Sequence, residues 1–150
     1  MKQVTSPQVP PPAGPYSPGI AAGGLLFLAG QGPFDSSGQR VGETFADQVR
    51  QTFANLAAVA REAGTSLDHA VRLGVYLRTL DDFAEFNAVS KEFLSEPYPA
   101  RTTIAAALRG FDVEVDAVLE LPRGDGDRLP VTGPPGAAAS SRDRLPRGAG

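Results

Sequence analysis

Short apolar runs alternate with two longer segments of helical period along most of this chain, and that alternation predicts its fold. Residues 20–30, IAAGGLLFLAG, form a compact apolar run interrupted by Gly23 and Gly24. Such a run predicts two short strands around a tight turn. Residues 31–42, QGPFDSSGQRVG, read as a loop from their turn-forming composition. Between Thr44 and Ala63, the residues Phe45, Val49, Thr52, Phe53, Leu56, Val59, Ala60 and Ala63 recur at three- and four-residue spacing. That stripe predicts an amphipathic helix, and Gly64 is placed to take its left-handed C-terminal cap. Val71, Leu73, Val75 and Leu77 alternate with more polar positions, the pattern of a half-buried strand. A second helix is predicted from Asp81 or Asp82 to Leu94, with acidic residues at its positive end and Phe83, Phe86, Val89, Phe93 and Leu94 turned inward. Pro97 and Pro99 call for extended chain, after which residues 101–107 and 113–121 read as the last two strands.

The order of strands, helix, strand, helix and two strands predicts an α+β domain with two helices packed on one face of a mixed β-sheet. Val4 and its neighbours could add an edge strand before the prolines that follow. Beyond residue 122 the composition turns to Gly, Pro, Ser and charge with no periodic apolar face. The folded domain is therefore expected over 1–122 and a disordered tail over 123–150. The uncovered sheet face of so small a domain favours burial against another copy, hence a closed homo-oligomer.

Composition narrows the chemistry. The chain has no cysteine and one histidine, His69, which excludes thiol nucleophiles, thiolate metal sites and His-rich metal clusters. His69 itself reads as a surface or cap residue. A formal net charge of −3 gives no broad basic surface for nucleic acid. No stretch resembles a membrane span or a signal peptide, so a cytoplasmic location is expected. Phosphate-binding glycine motifs are missing, because GQG at 30–32 lacks the spacing and the lysine they need.

Five segments, GPYSPGI at 14–20, LAGQGP at 28–33, DFAEFN at 82–87, PARTTI at 99–104 and VEVDAV at 113–118, together resemble the RidA family, also called YjgF. The resemblance implies a chorismate-mutase-like fold and a homotrimer with active sites in the clefts between neighbouring subunits. It also implies hydrolysis of enamines and imines, of the 2-aminoacrylate or 2-iminopropanoate type, to 2-keto acids and ammonia. A small imino or enamino acid is then the partner, with no membrane or nucleic acid involved. No metal or organic cofactor is called for, since an imine carbon is already electrophilic.

Arg101 is the first candidate, because a guanidinium binds a carboxylate through a planar fork and keeps its charge near neutral pH. The resemblance assigns it the substrate carboxylate. Glu114 is the second, since adding water to a C=N bond needs a group that positions and deprotonates the water. The segment between Arg101 and VEVDAV is shorter than in familiar family members, and an ungapped count selects Asp116 instead. Residues 114 and 116 share a strand face, so either alignment sends a carboxylate the same way. The resemblance adds Tyr16, Gly30, Asn87 and Thr103 as substrate-binding positions. From the residues alone, Tyr16 could equally be core packing, Gly30 a bulge and Asn87 a helix-face amide. Thr103 stands where many members carry Cys or a small apolar residue, and Ser90 where tyrosine is frequent, which makes a specialised deaminase of the 2-aminomuconate type an alternative. A noncatalytic ligand-binding or RNA-acting module is a second.

Overall fold

The computed structural model describes residues 1–124, and the expected tail lies almost wholly outside the described residues. The elements follow as β1 (Lys2–Val4), β2 (Gly19–Ala22), β3 (Leu25–Gln31), α1 (Phe45–Glu62), β4 (Ala70–Leu77), α2 (Phe83–Ser90), β5 (Ala100–Ala105) and β6 (Val113–Glu120). The strands form one sheet in the order β1-β2-β3-β6-β4-β5, antiparallel throughout except for the parallel pair β4 and β5 joined through α2. β1 is the expected edge strand, with Val4 opposite Gly19.

Burial follows strand period except at Val71, expected on the buried side, which lies in the register shift of β4 against β6 between Ala70 and Arg72 and is 40% exposed. Leu73, Val75 and Leu77 of β4 and Val113, Val115, Ala117 and Leu119 of β6 are buried and face the helices. In α1 the expected stripe is the buried one, with Val49, Thr52, Phe53, Leu56, Val59 and Ala60 inside. Thr44 caps the helix by accepting from the Asp47 N–H. Gly64 ends it at φ +77°, with its N–H on the Arg61 carbonyl and the Thr65 N–H on the Ala60 carbonyl. That is the paired-bond termination for which glycine is suited. His69 is exposed in a 3-10 turn over Leu67–His69. Among the described residues, no helix is long and apolar enough to cross a membrane.

α2 is shorter than its apolar pattern predicts. Asp81 and Asp82 form a 3-10 turn before it, and it stops at Ser90, whose hydroxyl donates to the Asn87 carbonyl. Phe93 and Leu94 reach the core through a tight turn instead, and Phe93 stacks on Phe53 at 5.0 Å between centroids. Phe83 is 42% exposed rather than inward-facing, its ring lying against the Arg101 guanidinium of the edge strand β5 and not in the core. The segment after the helix bends at a cis Glu96–Pro97 bond instead of running extended.

Candidate active site

The sheet divides the candidate residues between its two faces. On β5, Arg101 pairs with Leu73 and Thr103 with Val75, so both point to the helix-covered side. On β6, Glu114 pairs with Tyr76 and Asp116 with Gly74, so both point to the opposite side. Within one chain, therefore, Arg101 and Glu114 do not meet.

On the helix side, the Arg101 guanidinium lies 5.4 Å from the ring centroids of both Phe83 and Phe86 and donates to Asn87 Oδ1 at 2.7 Å. The flanking rings hold the cation through their faces, and the amide fixes its rotation. Burial pushes the Arg101 pKa below its ordinary value, yet a guanidinium stays charged near neutral pH. Among the described residues no carboxylate pairs with it. Two residues along the same face, the Thr103 hydroxyl is buried without a hydrogen-bond partner.

On the other side, Tyr16, Gly30 and Glu114 line one cavity of about 320 Å³. Tyr16 is 52% exposed, so it belongs to the cavity wall and not the core, and its phenol oxygen accepts from the Ala13 N–H at 3.2 Å. Gly30 lies where the register of β3 against β6 shifts between Leu28 and Gln31. A Cβ there would overlap Glu114 Oε1, so glycine is what lets the carboxylate lie against the strand. The bulge and the close approach are one feature. Burial raises the Glu114 pKa above the usual carboxylate range, with the Asp116 charge adding to it. Asp116 is differently engaged: it accepts from the Tyr76 hydroxyl at 2.9 Å and lies so close to Gly74 that a Cβ there would meet its oxygens at 2.6 Å.

Pattern reasoning missed the residues that complete this cavity. Phe34 and Phe111 stand edge to face in its wall, 5.1 Å between centroids, beside Pro10, Pro11 and Pro12. Two buried polar residues of α1 hold the loops that carry the rings. Asn55 donates to the carbonyls of Gly32 and Phe34 at 3.0 and 2.8 Å. Gln48 exchanges two hydrogen bonds of 2.9 Å with Asp112. Their signal in the sequence is a polar residue inside an apolar helical stripe, since Gln48, Thr52 and Asn55 follow one another at helical spacing on the buried side. A wider recess by Gly23, Gly24, His69 and Arg123 holds none of the candidate residues.

Comparison with known proteins agrees with this fold. The family model described as Endoribonuclease L-PSP matches residues 6–120. The mitochondrial protein mmf2 of Schizosaccharomyces pombe is 41% identical over 110 residues, covering 70% of this chain and 86% of that one. A 2-iminobutanoate/2-iminopropanoate deaminase of Dermatophagoides farinae is 31% identical, covering 77% of this chain and 93% of its own. The crystal structure of RidA from the Antarctic bacterium Psychrobacter sp. PAMC 21119 superposes with a TM-score of 0.75 at 34% identity, over 81% of this chain and all of that one. Helices, sheet and match together place this chain in the Endoribonuclease L-PSP family, the family also called RidA or YjgF.

Proposed function

We propose that this protein hydrolyses imines of 2-amino acids, and the enamines that tautomerise to them, to 2-keto acids and ammonia. The observation that carries the reading is the seating of Arg101, a partly buried cation gripped by Phe83, Phe86 and Asn87 and paired with no carboxylate among the described residues. Such a group is built to receive an anion, and its fork fits a carboxylate. Glu114 supplies the second part. Its raised pKa brings it nearer to neutrality, where a carboxylate that takes a proton from water and returns one to nitrogen works best. Water adds to the imine carbon while one of its protons passes through Glu114 to nitrogen, giving a carbinolamine; the remaining hydroxyl proton then follows the same route to nitrogen as the C=O bond forms and the C–N bond breaks, leaving a keto acid and ammonia. Tyr16 and Gly30 shape the approach to Glu114, while Thr103 offers a free hydroxyl beside Arg101. Asp116, which accepts from the Tyr76 hydroxyl, adds its charge to the burial that raises the Glu114 pKa.

Because Arg101 and Glu114 lie on opposite faces, one substrate reaches both only at a junction of two copies. The helix-free face suits that role. Phe27 and Ile104 on it are 45% and 48% exposed, and Ile20, Val118 and Tyr76 share it by register. A homotrimer with Arg101 of one subunit opposite Glu114 of the next satisfies both requirements. A nucleic-acid reading draws no support from a net charge of −3. The test is keto-acid formation from an imine released in situ by an amino-acid oxidase. Arg101→Ala should lower kcat/KM at least about 100-fold with the circular dichroism unchanged, since the charged, bidentate hold on the substrate carboxylate is lost. Equal rates for parent and variant would refute the assignment.

A further inference from the structure

Resting on that reading of the site, we infer that the cavity beside Glu114 is a subsite for the substrate's side chain, and that it selects imines of large apolar amino acids, aromatic ones foremost. The cavity of about 320 Å³ is far larger than the methyl or ethyl group of the smallest imino acids and falls at the lower end of pockets that enclose organic ligands. Its far wall is apolar. Phe34 and Phe111 present ring edges and faces at 74° to one another, and the Pro10–Pro12 run adds rigid apolar surface. A third ring entering there meets the edge-to-face and offset geometries that aromatic groups prefer.

This wall is built rather than incidental. Gly32 lets the Phe34 ring lie against its own backbone, since a Cβ on Gly32 would meet that ring at 2.8 Å. Asn55 fastens the Gly32–Phe34 segment from below, and Gln48 with Arg78 fastens Asp112 next to Phe111. The charge of the wall sharpens the choice. Among the residues lining the cavity there is no Lys, Arg or His, and the single acidic group is Glu114. With Arg101 of the neighbouring subunit occupied by the first carboxylate, a second one on the substrate would face Glu114 with no further cation in the cavity wall to neutralise it. Dicarboxylate substrates of the aminomuconate type are disfavoured on the same ground.

The experiment measures binding and turnover separately. Titration calorimetry of the intact protein with phenylpyruvate and with pyruvate should give a Kd at least about tenfold lower for the aromatic keto acid, and Phe111→Ala should abolish most of that difference. The kcat/KM ratio for the imines of phenylalanine and alanine should fall by a similar factor in Phe111→Ala. Because a ratio cancels the fraction of folded enzyme, partial unfolding of the variant does not obscure it. Equal affinities in the parent protein, or a difference that survives Phe111→Ala, overturn the subsite while leaving imine hydrolysis standing. Tight phenylpyruvate binding without hydrolysis of either imine would overturn the reaction instead and keep the subsite.

Discussion

Gly30→Ala isolates the contact on which the position of Glu114 depends. The added methyl would overlap Glu114 Oε1 and come within 3.1 and 3.2 Å of its Cδ and Cγ. The backbone itself does not resist, because Gly30 is not among the glycines with positive φ. The end of the glutamate arm is flexible and has a cavity of about 320 Å³ beside it, so it swings instead of forcing the strand apart. A side chain pushed off its preferred rotamer costs about 0.5–1.5 kcal/mol. Replacing glycine where alanine fits returns about 0.4–1 kcal/mol by stiffening the unfolded chain. The two nearly cancel, and stability should change by less than about 1 kcal/mol. Catalysis should not escape so lightly. A displacement of about 1 Å in a water-positioning group costs about 100-fold in rate, so kcat/KM should fall by about that factor. The assay is keto-acid release above the uncatalysed rate, with thermal unfolding run in parallel. In a Glu114→Gln background the same substitution should cost less than about threefold more, because the group it displaces no longer works. Full activity in Gly30→Ala, or an undiminished loss in the double variant, would refute the coupling of Gly30 to Glu114.

Three further outcomes follow from the same geometry. Asn55→Ala leaves the half-buried Phe34 carbonyl without its side-chain donor and the Gly32 carbonyl with only the Phe34 N–H, and should destabilise the fold by about 1–3 kcal/mol, read as a lower urea midpoint at unchanged slope. The folded state holds the Glu114 pKa above its ordinary value of 4.5, so it binds the proton more readily than the unfolded chain. Its contribution to stability is therefore lost as pH rises from that value through the raised one, and Glu114→Gln should unfold at higher denaturant than the parent above this window but not below it. The acid limb of kcat/KM should lie above the ordinary carboxylate range and move down in Asp116→Asn, which removes the neighbouring charge.

Much of the fold is visible in the residues because burial and period coincide. The alternation of β6, and of β4 from Leu73 onward, is the alternation of the core, and the stripe of α1 is its buried face. The end of α2 was not visible, since Phe93 and Leu94 are apolar whether they continue a helix or enter the core from a turn. For the site, family-matched positions marked Tyr16, Gly30, Asn87, Arg101, Thr103 and Glu114, and strand period put 114 and 116 on one face. What period could not say is that Arg101 points the other way, because that depends on the parallel register of β5 against β4. Phe34 and Phe111 escaped notice for a similar reason. They lie in irregular loops, and only the long-range anchors from Asn55 and Gln48 bring them together.

The division of Arg101 and Glu114 between two sheet faces is tested most directly by complementation. Chains carrying Arg101→Ala and chains carrying Glu114→Gln, distinguished by two tags and co-expressed, can be purified as mixed assemblies. Each variant alone should keep no more than about 1% of the parent activity. A cyclic trimer of either mixed composition holds one junction where an intact Arg101 faces an intact Glu114, so about one third of the parent activity should return. Mixed assemblies as inactive as their parents would contradict a site shared between subunits.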